Sequence, residues 1–149
     1  MALDIKIKSF GELTTHELYH LLQLRSEVFV VEQDCVYQDM DGKDQNALHI
    51  LGYKEANLVA YTRVFSPGDY FENASIGRVV VRENERHHQY GNAIMKASIK
   101  AIRDAYGDGH IKISAQTYLK TFYNNLNFFE VGEPYLEDGI PHIGMIRRN

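Results

Sequence analysis

The stretch "SIGRVVVRENERHHQYGNAIMKASIKAIRDAY", residues 75–106, passes from an apolar strand through a charged segment to an amphipathic helix. Gly91 stands where that helix begins. The first amides of a helix lack intrahelical acceptors, and the helix dipole favours negative charge there. Arg86, His87 and His88 bring further donors to the approach. The joint predicts an anion site in which Gly91 allows a close approach or a positive φ, although an ordinary polar loop has the same composition.

Composition limits the classes of partner. The chain has 149 residues, of which 44% are hydrophobic and 24% charged, so we expect a single domain over residues 1–149. The formal net charge is -4, without a dense stripe of Lys and Arg. Nucleic acid is therefore not expected as a partner, whereas a mildly acidic surface suits a cationic substrate.

The N-terminus and the cysteine content indicate a cytoplasmic protein. "MALDIKIKSF" alternates apolar and polar residues and lacks the apolar region of a signal peptide, and no apolar run has the length of a membrane span. Cys35 is the only cysteine of the sequence, which excludes a disulfide framework and cysteine-rich zinc sites. Its acidic neighbours disfavour a reactive thiolate. We expect no membrane partner and no metal site.

Hydrophobic periodicity and turn residues predict elements in the order β, α, β, β, β, α, β, α, β, β. The first strand covers Ile5 to Ser9, and the first helix opens with Thr14 and Glu17 at the spacing of a capping box. A turn at residues 55–57 separates the second and third strands. The order indicates an α/β fold with a mixed, largely antiparallel central sheet flanked by helices.

Two arginines interrupt apolar segments. Arg25 falls on the apolar stripe of the first helix, and we interpret it as lying at the edge of the stripe with its stem buried. The alternative is an arginine that anchors a carboxylate beside a cleft. Arg78 lies within an apolar strand and needs an anionic or hydrogen-bonding partner if it is buried. Glu32 is a candidate partner for either arginine.

The charged joint resembles a known ligand-binding segment. "RVVVRENERHHQYGNAI" is similar to the acetyl-CoA-binding segment of the GNAT N-acetyltransferase superfamily, whose pattern is Arg/Gln-x-x-Gly-x-Gly/Ala. Arg86 occupies the first position of that pattern and Gly91 the sixth. Gln89 stands where the first glycine usually lies.

A second segment resembles the same superfamily. "AQTYLKTFYNNLNFFEVG" is similar to its Asn-x-x-Ala-x-x-x-Tyr-x-x-x-Gly-Phe block, with Tyr123 at the tyrosine and Gln116 at the asparagine. Asn127 replaces the glycine, and asparagine tolerates the left-handed end of a helix. Over nearly the whole chain, segments such as "LRSEVFVVEQDCVYQDMDG" and "YLEDGIPHIGM" resemble the ElaA-like branch.

The resemblance implies a GNAT fold with acetyl-CoA in a split between the fourth and fifth strands. It implies that the pantetheine arm pairs with the fourth strand, where a backbone amide acts as the oxyanion donor, and that the amides of residues 86–92 hold the pyrophosphate. Tyr123 would protonate the departing thiolate, although its place on an apolar stripe equally suits a core residue. The residues so assigned to the cosubstrate are Val79, Val80, Val81, Arg86, His87, His88, Gln89, Tyr90, Gly91, Asn92, Gln116 and Tyr123.

An alkylamine acceptor also needs a base or desolvation, because only about 0.04% of it is neutral at pH 7. The sequence offers Glu32, His49, Asp39, Asp41 and His142 and does not choose among them. His49 equally suits a half-buried ring with satisfied nitrogens. Glu32 and His49 are the candidates that we place beside Tyr123 as catalytic residues.

The predicted activity is transfer of the acetyl group of acetyl-CoA to a primary amine of a small molecule or peptide by direct attack. The alternative is a non-catalytic acyl-CoA-binding or sensory module on the same fold. A structural or protein-interaction domain would not need the polar joint before Gly91. The identity of the amine and the formation of a homodimer are left open.

Overall fold

A seven-stranded sheet runs through the computed structural model, which describes residues 2–148. The strands and helices follow the predicted order, with short 3-10 turns between them. The helices are α1 (Thr15–Arg25), which continues into a π-helical segment at Ser26–Glu32, α2 (Tyr90–Tyr106) and α3 (Lys120–Asn124). The strands are β1 (Asp4–Ser9), β2 (Leu48–Lys54), β3 (Asn57–Phe65), β4 (Ala74–Val81), β5 (Ile111–Gln116), β6 (Phe129–Glu137) and β7 (Ile140–Arg147).

The sheet opens between β4 and β5. Its strands lie in the order β1-β2-β3-β4-β5-β7-β6, and all neighbours are antiparallel except the parallel β4–β5 pair. Those two strands pair through Ala74–Ile111 and Ser75–Lys112 and then separate. Beyond that point β4 stays paired with β3 and β5 with β7, so each strand turns one edge toward the opening. The predicted split between the fourth and fifth strands is confirmed.

A bulge in β4 lies beside the split. The register between β3 and β4 shifts by one residue between Tyr61 and Arg63, and Arg78, on the β4 side, has a φ of 49°. Because side chains alternate along a strand, the extra residue reverses the faces that follow. Ile76 therefore packs in one core cluster and Val80 in the other. A bulge also leaves backbone groups out of the ladder, next to the opening.

Helices α1 and α2 cover opposite faces of the sheet. Apolar residues of α2, including Met95, Ile99 and Ile102, pack in the larger cluster. Leu21 and Leu24 of α1 pack in the second cluster, together with Leu51, Leu58 and Tyr61 from the sheet. Within residues 2–148, no helix combines the length and the apolar character that a membrane span requires.

Helix α1 begins as predicted but ends on a buried arginine. The Glu17 amide donates to Thr14 Oγ1 at 3.1 Å and the Thr14 amide to Glu17 Oε1 at 2.8 Å, which confirms the capping box. Arg25 is fully buried; its Nε donates to Asp39 Oδ2 and its guanidinium NH1 to Asp44 Oδ1, each at 2.8 Å. The interpretation of Arg25 as a residue at the edge of the stripe is wrong, because two carboxylates compensate its charge inside the protein.

Arg25, Arg63, Asp39, Asp41 and Asp44 form what we call the buried cluster, with Asp41 at its rim, where 22% of its side chain is exposed. Arg63 donates from NH1 to Asp41 Oδ1 at 2.8 Å and to Asp44 Oδ1 at 3.0 Å, and from NH2 to Asp41 Oδ2 at 2.9 Å. Burial alone would raise the pKa of Asp41, but the Arg63 hydrogen bonds and charge lower it to about 2. The cluster fastens the loop between α1 and β2 to the sheet.

Candidate functional site

A cleft of about 520 Å³ occupies the split between β4 and β5. One wall is the edge of β4 from Ile76 to Val81, and the opposite wall comes from β5 and the β6–β7 hairpin. Residues of the π-helical segment, of α3 and of the first turn of α2 complete the lining. The volume is that of an ordinary ligand pocket, and the free strand edges along it offer backbone hydrogen bonds.

The turn before α2 presents unpaired amides at the cleft. Gln89, Gly91 and Asn92 line it, and among the described residues no side chain caps this helix start. The first-turn amides therefore have no intrahelical acceptor. Gln89 has a left-handed φ of 63°, which explains why the superfamily pattern carries glycine at this position.

Close packing against Phe122 favours glycine at position 91. Its φ is not positive, so the alternative of a left-handed glycine is wrong. A Cβ placed on Gly91 would lie 3.2 Å from Cζ of Phe122, a residue that also lines the cleft. Any larger side chain must displace the Phe122 ring or enter the space beside the free amides.

Arg86 and Glu32 form what we call the cleft pair. The guanidinium donates from NH1 to Glu32 Oε2 at 2.5 Å and from NH2 to Oε1 at 2.7 Å, and its Nε donates to the Val81 carbonyl at 3.0 Å. Glu32 is thus not the partner of a buried arginine. Arg78 has the anionic partner that its position in a strand predicted, but that partner is Asp39, which accepts from Arg78 Nε at 2.8 Å.

Tyr123 lines the cleft from the buried face of α3. Its ring packs edge-on against Phe122 and Phe128, and only 5% of the residue is exposed. Within residues 2–148 nothing forms a hydrogen bond with its hydroxyl. Burial raises the pKa of the Tyr123 phenol. The residue is therefore both a core tyrosine and a protonated donor beside the cleft.

The structure brings most of the sequence-predicted residues together. His87 and His88 do not line the cleft; they are exposed, with ring centroids 3.9 Å apart. Tyr90, the first residue of α2, is buried in the core. The side chains of these three residues point away from the cleft, because successive side chains of a 3-10 turn or an α-helix point in different directions around its axis. The residues that do line the cleft are Glu32, Val79, Val80, Val81, Arg86, Gln89, Gly91, Asn92, Gln116 and Tyr123.

His49 lies outside the cleft lining and contacts the buried cluster. Its Nδ1 lies 2.6 Å from the Tyr61 hydroxyl and its Nε2 2.9 Å from the Asp44 carbonyl. Burial lowers the pKa of the His49 ring. This placement does not support His49 as the general base and fits the alternative of a ring with satisfied nitrogens. Asp39 and Asp41 are likewise held by arginines.

The wall opposite β4 contains three polar residues that the sequence analysis did not predict to lie together. We call Ser114, Glu137 and His142 the hairpin wall; all three line the cleft. Ser114 Oγ forms hydrogen bonds with the Tyr135 hydroxyl and with Glu137 Oε1, the latter at 3.3 Å. Strand alternation could have placed Ser114 on one face, but no local pattern shows that β5 and the hairpin meet at the split.

A family model described as an acetyltransferase (GNAT) domain matches residues 12–148. The chain belongs to the GNAT acetyltransferase family. It is 46% identical to the protein ElaA of Escherichia coli over 139 residues, 92% of this chain and 91% of ElaA. The crystal structure of an acyl-CoA N-acyltransferase from Pseudomonas aeruginosa matches with a TM-score of 0.92 and 41% identity, over 98% of this chain and 99% of that one. The crystal structure of Escherichia coli ElaA matches with a TM-score of 0.91 and 42% identity at the same coverage.

The GNAT fold and the ElaA-like resemblance predicted from the sequence are thereby confirmed. Membership of the GNAT family indicates an acyl-CoA-dependent acyltransferase. It explains why the cleft opens along a strand edge and ends at an uncapped helix.

Proposed function

We propose that this GNAT protein transfers the acetyl group of acetyl-CoA to a primary amine of a small molecule or peptide by direct attack. The observation that carries the proposal is the free edge of β4, which leads along the cleft to the uncapped start of α2. An extended arm with amide groups suits a free strand edge. A diphosphate suits a helix start with unpaired amides.

The residues of the cleft fit acetyl-CoA in four respects. Val79 to Val81 offer a strand edge to the pantetheine arm, and the amides from Gln89 to Asn92 offer donors to the pyrophosphate. Arg86 adds a positive charge beside the same turn, where Glu32 holds it. Gln116 Oε1 is buried with no hydrogen-bond partner among the described residues, so an amide donor of a bound ligand would satisfy it.

Chemistry at the thioester would draw on the bulge and on Tyr123. A backbone amide freed by the bulge, such as that of Val79, supports the oxyanion that forms when an amine attacks. Tyr123 donates a hydrogen bond or a proton to the sulfur that leaves, since its phenol stays protonated at neutral pH. Direct attack needs no thiol of the protein.

Calorimetric titration with acetyl-CoA tests the binding half of the proposal. Gly91→Val should weaken binding strongly, because its side chain would push on Phe122 or fill the space beside the amides. Gly11→Val is the matched control, since a Cβ there meets nothing within 4 Å. A folded Gly91→Val variant with unchanged affinity would contradict this placement of the pyrophosphate.

A thiol-release assay over a panel of primary amines tests the chemical half. Wild-type protein should release CoA with at least one amine of the panel. Binding of acetyl-CoA without release from any amine would favour the non-catalytic acyl-CoA-binding module. Absence of binding would contradict both of these functions and leave a protein-interaction domain.

A further inference from the structure

His142 combines burial with an open ring nitrogen. The residue is 7% exposed and lines the cleft. Its Nδ1 lies 2.7 Å from the Ile140 carbonyl, which accepts hydrogen bonds and cannot donate them, so Nδ1 carries the hydrogen. In the neutral ring Nε2 then carries the lone pair. Histidine is the side chain most often used as a general base, and here its tautomer is fixed in the form that accepts a proton at Nε2.

Glu137 faces that nitrogen. Its Oε1 accepts a hydrogen bond from Ser114 Oγ at 3.3 Å, while its Oε2 lies 3.5 Å from His142 Nε2. The second distance is too long for a normal hydrogen bond. Within residues 2–148 no donor is placed between these two acceptors. His142 Nε2 and the partly exposed Glu137 carboxylate, 43% of whose side chain is accessible, are therefore two acceptors on the same wall of the cleft that a donor of a bound ligand can contact together.

We propose that Glu137 and His142 bind the ammonium group of a primary alkylamine and that His142 Nε2 removes its proton. The inference deepens and rests on the proposed acetyl transfer. An ammonium group has three donors, enough to contact both acceptors at once. It is the substrate class that most needs a base, because at pH 7 only about 0.04% of an alkylamine is neutral.

The charges of the cleft agree with a cationic acceptor. Arg86 is paired with Glu32, and Arg78 contacts both Asp39 and Asp41. Glu137 and the neighbouring Asp138 also line the cleft, and neither forms an ion pair with a Lys or Arg within the described residues. The hairpin side of the cleft is therefore acidic. A carboxylate on the acceptor beside the reacting amine would be repelled, which favours a simple alkylamine or a diamine over an α-amino acid.

The transfer balances without a further reactant. The ammonium gives one proton to His142 Nε2, and the neutral nitrogen attacks the thioester carbonyl carbon to form a C–N bond. Collapse of the tetrahedral adduct breaks the C–S bond, and the sulfur takes its electron pair. The second proton of the amine, relayed through Tyr123 or solvent, neutralises the thiolate. His142 then releases its proton to water, so that one amide, one CoA thiol and one proton are formed.

Titration with n-butylammonium chloride, followed by NMR of the histidine ring signals in the CoA-loaded protein, tests binding. The signal absent from His142→Gln belongs to His142. It should shift with saturation in the wild type and in the control Glu133→Gln, which changes an exposed carboxylate of the same strand. In Glu137→Gln we expect the affinity for n-butylammonium, read from the midpoint of the titration, to fall at least tenfold, since the negative charge is lost. No saturable shift in the wild type would overturn the proposal.

Steady-state kinetics with n-butylamine and 1,4-diaminobutane test the proton transfer. His142→Gln should lose about 10²–10⁴-fold in kcat/KM at neutral pH, the range of general-base catalysis. The loss should narrow as the pH approaches about 10.4, because about half of the amine is then neutral without a base. The affinity for acetyl-CoA should not change. His20→Gln, an exposed histidine of α1, is the control and should keep wild-type values.

The groups that face His142 are the ones that can influence its protonation in the pH dependence of kcat/KM. They are Glu137 and the stacked Tyr135 ring from β6, and the neutral Gln116 opposite it on β5. A His142→Gln variant within a few-fold of wild type, or an equal deficit at every pH, would overturn the role as base. Failure of wild-type protein to bind acetyl-CoA or to release CoA with any amine is instead a failure of the proposed function. A wild type that acetylates other amines of the panel but neither of these two would overturn the assignment of a primary alkylamine as the acceptor.

Discussion

Arginine–carboxylate contacts occur in two regions of this fold with opposite surroundings. In the buried cluster the side chains of Arg25 and Arg63 are 0% and 1% exposed, and Asp44 accepts from both. In the cleft pair Arg86 and Glu32 are 41% and 28% exposed. Water screens the second contact and leaves it worth little, whereas removing one partner of the first strands a charge in the interior. The buried contacts therefore hold the architecture, and the exposed contact can be exchanged for a ligand anion.

Two buried tyrosines show the same difference. Burial raises the pKa of both Tyr61 and Tyr123. The Tyr61 hydroxyl lies 2.6 Å from His49 Nδ1, whereas within residues 2–148 the Tyr123 hydroxyl has no hydrogen-bond partner. Burial alone thus does not separate structural from functional groups. What separates them is whether the polar atoms are already paired and whether a cleft lies beside them.

Removal of a carboxylate from the buried cluster should give the largest effect on stability. Asp44→Ala leaves Arg25 and Arg63 short of a partner, and we expect a loss of about 3–5 kcal/mol in the free energy of unfolding. Glu32→Ala in the cleft pair should change it by less than about 1 kcal/mol. Urea unfolding of both variants makes the measurement. Similar losses in the two variants would remove the distinction between the regions.

The tyrosines should respond in opposite ways to loss of the hydroxyl. Tyr123→Phe should lower turnover on a true amine substrate by about 10²-fold or more, the general-acid range, with little change in stability or in acetyl-CoA affinity. Tyr61→Phe should instead destabilise the protein by about 1–3 kcal/mol, because His49 loses a buried partner. Thiol release and urea unfolding are measured on both. Turnover of Tyr123→Phe within a few-fold of wild type would make it a core residue only.

Acid should weaken the buried cluster through Asp41. Its pKa is about 2 in the fold, below the ordinary value of 3.8 that applies to the unfolded chain. A depressed carboxyl pKa contributes stability that is present above about pH 4 and is lost as the pH falls toward 2. We expect Asp41→Asn to flatten this part of the stability curve, and Glu133→Gln, on the surface, to leave it unchanged. Urea midpoints at several acidic pH values check this; equal slopes in all three proteins would contradict it.

Loss of the thiol should have the smallest effect. Cys35 lines the cleft and donates a weak hydrogen bond to the Asp138 carbonyl at 3.2 Å, which a serine hydroxyl can replace. Cys35→Ser should keep most of the activity, because direct attack by an amine uses no protein thiol. Thiol release with the best amine of the panel is the readout. A collapse of turnover in a folded variant would indicate an acyl-enzyme route.

Local patterns predicted the elements well. The capping box at Thr14 and Glu17, the stripe of α2 and the left-handed tolerance of Asn127 all depend on residues within a few positions of one another, and the structure agrees at each. The resemblance to the GNAT family added the split between β4 and β5. Most of the residues that the sequence proposed for the site on one continuous segment, from Val79 to Asn92, line the cleft.

The sequence by itself determined the order of helices and strands, the polar joint before α2 and the presence of enough carboxylates and histidines for a base. Only the tertiary structure decided which of these side chains are already paired with another charged or polar group of the protein. Arg25 meets Asp39 and Asp44 across a loop, and Glu32 meets Arg86 from a distant segment. Periodicity reports which face of an element is apolar, but the partner of a charge depends on which strands become neighbours. Pairing across the sheet therefore decides whether a polar group serves the fold or remains free for a ligand.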